Sequence, residues 1–352
     1  MTDSDSQLDR YRRQIRFAPL GEAGQRKLSR SRVLICGCGA LGCVVADALV
    51  RSGVGFVRLV DRDFVDLDNL HRQVLFDESD AADHLPKAVA AARRLARVNS
   101  EVQIEPVVVD VNADNIRQLA EDVELIVDGT DNFETRYLVN DLAVATNKPW
   151  LFAGCVGAEG QVLAIVPGET PCLSCIMAEP PPAAVLPTCE SAGVLSPIVT
   201  FIASLQAMEA LKLLSGNRDQ LNPAMTFVDL WQNQIRMIGV AASRSEDCPT
   251  CGRREFAWLE GGRGAAITRL CGRNSVQISP ASPASSAATE PVDLAALAKK
   301  LGEVGRVTAN PFLVRLEVDE YQLTVFADGR TIVGGTDDPA VARTVQAKFV
   351  GG

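Results

Sequence analysis

The sequence predicts an α/β fold: a mainly parallel sheet with an antiparallel extension and a structural zinc site, followed by a small C-terminal α+β module. Three observations predict it. A short apolar run, Val33-Leu34-Ile35-Cys36, feeds into Gly37-x-Gly39-x-x-Gly42 and then into a helical pattern ending at Ser52-Gly53. From Arg32 to Gly157 strand-like and helix-like runs alternate, the pattern of βαβ units and a parallel sheet. Two Cys-x-x-Cys pairs follow, Cys172 with Cys175 and Cys248 with Cys251.

Taken in order, the segment from Leu8 to Phe17 is rich in arginine and precedes a helical run from Ala23 to Ser29. An arm in that position is placed to cross to another subunit. The strand, glycine turn and helix come next. Gly37 permits the tight turn, Gly39 lets the backbone approach an anionic ligand, and Gly42 lets helix and strand pack closely. The second strand, Phe56 to Asp61, ends on an acid about twenty residues beyond the glycines, where a carboxylate can accept from ribose hydroxyls. This order of strand, turn, helix and acid is Rossmann-like, and it suits a dinucleotide or ATP equally.

Further strands are expected near 102–110, 123–128 and 150–154, with helices near 86–98, 112–121 and 134–147. Gly160 to Val166 reads as a strand of the antiparallel extension. A loop carries Cys172 and Cys175 and runs into the proline-rich Glu179-Pro180-Pro181-Pro182, and a long helical run spans Val194 to Ser215. Strands near 225–230 and 234–240 lead to Cys248 and Cys251. Ser279 to Pro291 is rich in Ser, Ala and Pro, a linker composition. The remainder reads helix (293–301), strands (304–308, 312–318, 321–326, 330–333) and helix (338–348). The expected division is therefore residues 1–264, a linker region 265–291, and a module 292–352. The final Gly351-Gly352 invites the idea of an extended, reactive tail, but the last helix runs too close to it.

Composition bounds the function. With 352 residues and 47% hydrophobic composition the chain can bury a large core. Its formal charge of −9 disfavours a nucleic-acid surface over the whole molecule. No apolar run approaches the roughly 18 uncharged residues of a membrane span, and the start has neither a basic nor an apolar leader region, so a cytoplasmic location is expected. Only His71 and His84 are available for histidine chemistry.

Ten cysteines in such a chain point to metal or catalysis before disulfides. Four thiolates in two knuckles suit tetrahedral zinc, in a closed site with no position for water. A redox role for either pair is disfavoured, since neither is expected after a strand at a helix N-terminus. Cys36, Cys43 and Cys155 sit in apolar stretches and read as small buried hydrophobes. Cys38 and Cys271 carry no assignment. Cys189 lies in a loop before a helix, where exposure and the helix dipole favour the thiolate.

The glycine turn is joined by Asp61-x-Asp63, Asn69-Leu70-His71-Arg72-Gln73, Pro86-Lys87 and Asp128-Gly129-Thr130-Asp131-Asn132. Singly these are charges on a solvated face; together they offer cations for a triphosphate, a carboxylate for magnesium and amides for orientation. With Arg10-Tyr11-Arg12-Arg13-Gln14, both knuckles, Gly193-Val194-Leu195 and Ser204 to Ala210, they give residues 8–260 a specific resemblance to the ThiF/MoeB/HesA adenylyltransferases, bacterial relatives of ubiquitin-activating enzymes. The resemblance implies that Asp61 holds ribose, that Asn69, Arg72 and Lys87 hold phosphates with Gln73 in support, and that Asp131 holds Mg²⁺. It further implies that Arg13 reaches the phosphates of a neighbouring subunit in a homodimer, and that Cys189 is the active cysteine. Here Cys189 is followed by Glu-Ser-Ala-Gly-Val-Leu-Ser-Pro where relatives usually have an Asp-Gly-Gly-Val-Leu-Gly-Pro type of sequence.

The implied reaction is attack by the C-terminal glycine carboxylate of a small ubiquitin-like sulfur carrier, ThiS-like or MoaD-like and ending in Gly-Gly, on the α-phosphate of ATP. It gives an acyl-adenylate and pyrophosphate, with sulfur from a cysteine desulfurase or other donor, for thiamine, molybdopterin or thiolated-nucleoside synthesis. A carboxylate is ionised at neutral pH and needs no general base, which suits a chain with two histidines. Implied cofactors are ATP, Mg²⁺ and Zn²⁺. Two alternatives stand beside this reading: an NAD-dependent oxidoreductase, which would share the turn and Asp61, and an inactive scaffold half of a heterodimeric activating enzyme.

Overall fold

The computed structural model describes residues 8–180, 192–261, 267–270, 274–278 and 292–350. The chain divides into two units, Met1–Arg263 and Gly264–Gly352. In the first, strands β1 (Arg32–Cys36), β2 (Phe56–Val60), β3 (Gln103–Val107), β4 (Leu125–Asp128) and β5 (Trp150–Val156) run parallel to their neighbours. Strands β6 (Glu159–Ile165), β7 (Ala224–Asp229) and β8 (Gln234–Gly239) continue the sheet antiparallel. The order is β3-β2-β1-β4-β5-β6-β7-β8, the mainly parallel sheet with an antiparallel extension that the sequence predicts. Because β1 pairs with β2 on one side and β4 on the other, chain crossovers diverge at their carboxyl ends and leave a crevice there.

Both faces of the central parallel strands are covered, as parallel strands of Val, Ile and Leu require, while β8 at the antiparallel edge is exposed. On one face the helices Ala40–Arg51 and Ser196–Ser215 bury Val45, Leu49, Ile198 and Ile202 against Ile35, Leu59 and Val127. On the other, the helix Phe133–Thr146 buries Tyr137, Leu138 and Leu142 with Leu34, Ile126 and Phe152. The helix Ser196–Ser215 corrects one expectation: it is long and apolar enough to cross a membrane by length and composition. It carries Glu209 and Lys212, however, and about half of it is buried against the sheet.

The expected helix over 112–121 is a single turn, Ile116–Leu119. Asn112 and Asn115 cap each other's backbone instead, the Asn115 Oδ1 accepting from Asn112 N and the Asn112 Oδ1 from the amides of Asp114 and Asn115. Such local bonds compete with helix formation. The N-terminal arm is not free of its own chain. Tyr11 is buried, its hydroxyl accepting from Asn99 at 2.8 Å, and Arg10 donates to the Val98 carbonyl at 3.0 Å.

The second unit is an antiparallel sheet ordered β11-β12-β13-β14-β10-β9, with β9 (Ile267–Leu270), β10 (Ser275–Ile278), β11 (Arg306–Ala309), β12 (Leu313–Val318), β13 (Tyr321–Phe326) and β14 (Thr331–Gly334). The helices Leu294–Leu301 and Pro339–Phe349 supply Leu297, Leu301, Ala342 and Val345 to its core. Strands β9 and β10 fall inside 265–291, the stretch expected as linker; the Ser-, Ala- and Pro-rich composition that suggested a linker begins only at Ser279, after both strands.

Candidate functional site

The glycine turn joins β1 to the helix Ala40–Arg51. Gly37 has φ +91°, and a Cβ there would meet the Gly129 carbonyl oxygen at 2.7 Å. At Gly42 a Cβ would come within 1.9 Å of the Gly37 carbonyl oxygen. Gly39 is different: a Cβ there would meet only the Gly129 oxygen, at 3.7 Å, so space within the chain does not demand glycine. The room over Gly39 faces the crevice at the end of β1.

Asp61 follows β2 and braces this turn. Its Oδ2 accepts from Cys38 N at 2.6 Å and its Oδ1 from Asp63 N at 2.7 Å. A carboxylate offers about four lone-pair sites, so two remain for a ligand. Burial pushes the Asp61 carboxyl above its ordinary range, with the Lys87 ammonium pulling the other way. Lys87 is buried and places Nζ 3.1 Å from Asp63 Oδ2, while its backbone N–H donates to the Asp63 carbonyl. Asp63 is a contact the sequence did not assign, although the Asp-x-Asp spacing carries the signal.

Asn69 sits in the one-turn helix Leu67–Asn69, and Gln73 N donates back to its carbonyl at 3.0 Å. Both side chains are buried, and Asn69 Oδ1 and Gln73 Oε1 have no hydrogen-bond partner among the described residues. Buried polar oxygens without partners are costly. The two lie together in the loop that carries Arg72, and each oxygen is free to accept from a further donor. Arg72 turns its guanidinium back on the Asp68 carbonyl at 3.0 Å. The loop lies over the first turn of the helix Ala40–Arg51, where the Leu75 backbone reaches the Cys43 thiol and Asp61 and Lys87 act on that thiol as well.

The far wall is the loop after β4. Asp128 is buried and accepts from Arg136 Nε (2.9 Å), Thr130 N (2.9 Å) and the Thr130 hydroxyl (2.7 Å). Arg136 also donates to the Thr130 and Ala153 carbonyls, and Gln206 Nε2 bonds the Asp128 and Leu151 carbonyls. This network fixes the backbone that presents Asp131, which is exposed and close enough to Arg62 for their charges to interact. The structure thus brings Gly37, Gly39, Gly42, Asp61, Asn69, Gln73 and Lys87 to one end of the sheet, with Asp131 on the adjoining loop. Gln206 was legible only as a motif member; its bonding, and that of Arg136, was not.

Arg13 is not brought there. It is exposed on the short helix Arg12–Ile15, whose Gln14 donates to the Ser52 carbonyl and whose neighbour Tyr11 packs on Gly53. That is the opposite end of the helix Ala40–Arg51, roughly 18 Å from the glycine turn at 1.5 Å per residue. Cys189 lies outside the described residues. Of the two histidines, His71 bonds the Asp68 carbonyl, and the His84 ring meets Phe64 edge-on.

The four cysteines converge. Their Sγ atoms lie within 4.8 Å of one another, with Cys172–Cys175 at 3.9 Å, Cys172–Cys248 at 3.6 Å and Cys175–Cys251 at 3.3 Å. A tetrahedron of thiolates at the Zn–S length of ~2.3 Å has edges of ~3.8 Å, so the donor set fits zinc. Cys172 caps the one-turn helix Leu173–Ile176, a helix terminus that the sequence reading did not expect. Burial pushes the Cys172 thiol up and Cys251 to about 11. A bound divalent cation reverses that preference. The helix Phe133–Thr146 holds both knuckles. Asn140 Oδ1 accepts from Leu173 N, and Asp141 accepts from the Thr250 hydroxyl and Trp258 N. Burial pushes the Asp141 carboxyl up, its backbone and hydroxyl donors opposing. No spacing in the sequence singles out Asn140 or Asp141.

Residues 11–250 match the model of the ThiF family. The chain is 43% identical over 343 residues to the sulfur carrier protein ThiS adenylyltransferase of Bacillus subtilis, covering 97% of this chain and 99% of that one. It is 39% identical over 251 residues to the sulfur carrier protein adenylyltransferase of Thermus thermophilus, covering 70% of this chain and 91% of the relative. Among solved structures it is similar to E. coli MccB crystallised with ATP, with a TM-score of 0.58 and 26% identity over 65% of this chain and 69% of that one.

Proposed function

The chain belongs to the ThiF family, and from that premise we propose that it is the adenylyltransferase of a ubiquitin-like sulfur carrier protein. The observation that carries this is the 43% identity along nearly the whole of both chains to an enzyme named for that reaction. The carrier's terminal glycine carboxylate attacks the α-phosphate of ATP; an acyl-adenylate forms and pyrophosphate leaves. ThiS-like carriers are the first candidates and MoaD-like carriers the second.

The local chemistry supports this reading. The attacking carboxylate is already ionised, so the site has to supply position and positive charge in place of a base. Asp61 would orient the ribose while bracing the turn, the amides around Gly39 would meet the phosphates, and Lys87 and Arg72 would neutralise them. Asn69 Oδ1 and Gln73 Oε1 are acceptors and would face a donor, a ribose hydroxyl or a guanidinium, not phosphate oxygens. Asp131 would hold Mg²⁺, which supplies charge neutralisation at the phosphates when bound. An oxidoreductase would leave Lys87, Arg72 and Asp131 without work.

Three finer parts belong to the same proposal. The protein works in the cytoplasm as a homodimer in which Arg13 serves the neighbouring subunit's phosphates. Zinc in the four-cysteine centre fastens the loop after β6 to the segment after β8. The Cys189 thiolate attacks the acyl-adenylate, displacing AMP and forming a thioester with the carrier, before sulfur arrives from a desulfurase or other donor. Carrier-dependent ATP–pyrophosphate exchange tests the core of this. Exchange is expected with a ThiS-like carrier and absent when its last glycine is removed. ATP binding without exchange on any Gly-Gly carrier would sink the proposal. Cys189→Ser should keep exchange and lose the thioester on a non-reducing gel.

A further inference from the structure

A cavity of about 230 Å³ borders the four-cysteine centre. Cys172 and Cys251 line it on one side, and Arg244 and Arg254 line it with them; no Asp or Glu does. Arg244 donates to the Gly168 carbonyl. Arg254 reaches the Ala145 carbonyl at 3.5 Å and lies over the Phe256 ring at 5.4 Å. Neither forms an ion pair among the described residues, whereas Arg253 between them in sequence pairs with Glu255 at 3.0 Å. Arg254 also adopts φ +59°, a backbone conformation that costs any residue with a side chain. The turn that enforces it is tight: Gly252 N and Arg253 N both donate to the Cys248 carbonyl, and a Cβ at Gly252 would meet the Glu246 carbonyl oxygen at 2.0 Å.

Zinc held by four thiolates carries a net charge of −2; Cys172 and Cys248 are buried, Cys175 and Cys251 half-buried, and Arg244 and Arg254 exposed beside them. The Cys175 and Cys251 amides face the Cys172 and Cys248 sulfurs, but amide dipoles do not cancel two full charges. Asp141, bonded to Thr250 in the second knuckle, adds negative charge nearby. A buried net charge is retained only where an opposite charge meets it. We propose that Arg244 and Arg254 are the counter-charges of this centre: two guanidinium groups facing one cavity, which bring the zinc–tetrathiolate to neutrality and so hold the metal. The inference rests on reading the four cysteines as a zinc site.

The test times zinc release from the full-length protein to a chromogenic chelator, after measuring metal content. Arg244→Met, Arg254→Met and the double variant are compared with Arg244→Lys, Arg254→Lys and the control Arg236→Met on the exposed strand β8, with circular dichroism reporting the fold. The double variant should release zinc roughly 10–100-fold faster, the range for residues that support metal ligands. The lysine variants should restore most of the retention, and Arg236→Met should match the parent. Should the double variant not fold, the single and lysine variants decide by the same ranking. Release at the parent's rate from a folded double variant overturns the proposal. So does protection of the parent, but not the variant, by inorganic phosphate, which would make the arginines an anion site. A parent that purifies without zinc removes the zinc reading itself, an outcome the metal assay separates from the other two.

Discussion

Gly39 and Gly42 stand three residues apart in one turn and are glycine for different reasons. At Gly42 the chain itself forbids a side chain, since a Cβ would lie 1.9 Å from the Gly37 oxygen. At Gly39 the nearest atom would be 3.7 Å away, an ordinary contact. Gly42→Ala must therefore push the helix off the turn, and we expect it to cost more than about 3 kcal/mol in denaturant unfolding. Gly39→Ala should leave unfolding within about 0.5 kcal/mol of the parent yet weaken ATP binding at least tenfold, because the added methyl occupies room the phosphates need. Titration calorimetry checks the second half; unaltered ATP affinity in Gly39→Ala would remove the phosphates from that position. Cys38, to which sequence reasoning gave no role, contributes through its backbone: its N–H is what Asp61 holds. Its thiol is buried and pushed far up, chiefly by that burial, so it is inert.

Among elements, β1 and β2 are tied to the loop before β4 by one acid. Asp122 accepts from Arg58 Nη1 at 2.7 Å and pairs with Arg32, while Arg58 also binds Glu105 on β3. Hydrogen bonds from Arg58, then Arg32, hold the Asp122 carboxyl down to about 2. A carboxyl whose folded value is depressed stabilises above its unfolded value of about 3.9, and the contribution fades as pH falls from there to 2. Asp122 is 45% exposed, so screening limits the effect to about 0.5–1 kcal/mol. Asp122→Asn should be less stable than the parent by that amount at pH 7, and the gap should close near pH 2; urea unfolding at both values tests it, and a gap independent of pH would assign the loss to packing. The mainly parallel character of the sheet and most elements were legible because the parallel strands are continuous apolar runs between glycine and proline punctuation. What stayed hidden was short or locally bonded: β9 and β10, the single turn at Ile116–Leu119, and the one-turn helix that Cys172 caps. The site followed the same division. Asp61 and the four cysteines announce themselves by spacing and Lys87 by the family resemblance, whereas the Asp128–Arg136–Gln206 network joins residues up to 78 positions apart, and no local pattern encodes it.

For the whole molecule, the described residues of the proposed nucleotide site and all four cysteines lie before Arg263, within a unit that has its own core. A chain ending at 263 should therefore keep ATP binding, and any loss measured by calorimetry would give the second unit a part in the site. The placement of Arg13 argues in the other direction, towards more than one chain. Its helix is pinned at Ser52 and Gly53, one helix length from the glycine turn and beyond the reach of an arginine side chain. If Arg13 acts on phosphate, it acts on a second copy, and each site takes Lys87 from one protomer and Arg13 from the other. Arg13→Ala and Lys87→Ala should each lower pyrophosphate exchange by about 10²-fold or more, as removal of a preorganised charge does. Mixed in equal amounts and allowed to exchange subunits, half of the dimers pair the two variants. Each such dimer regains one intact site and keeps one doubly damaged, so exchange should recover to about a quarter of the parent's. Sites completed within a single chain give no recovery on mixing, since every Lys87 present would then sit beside its own alanine at 13.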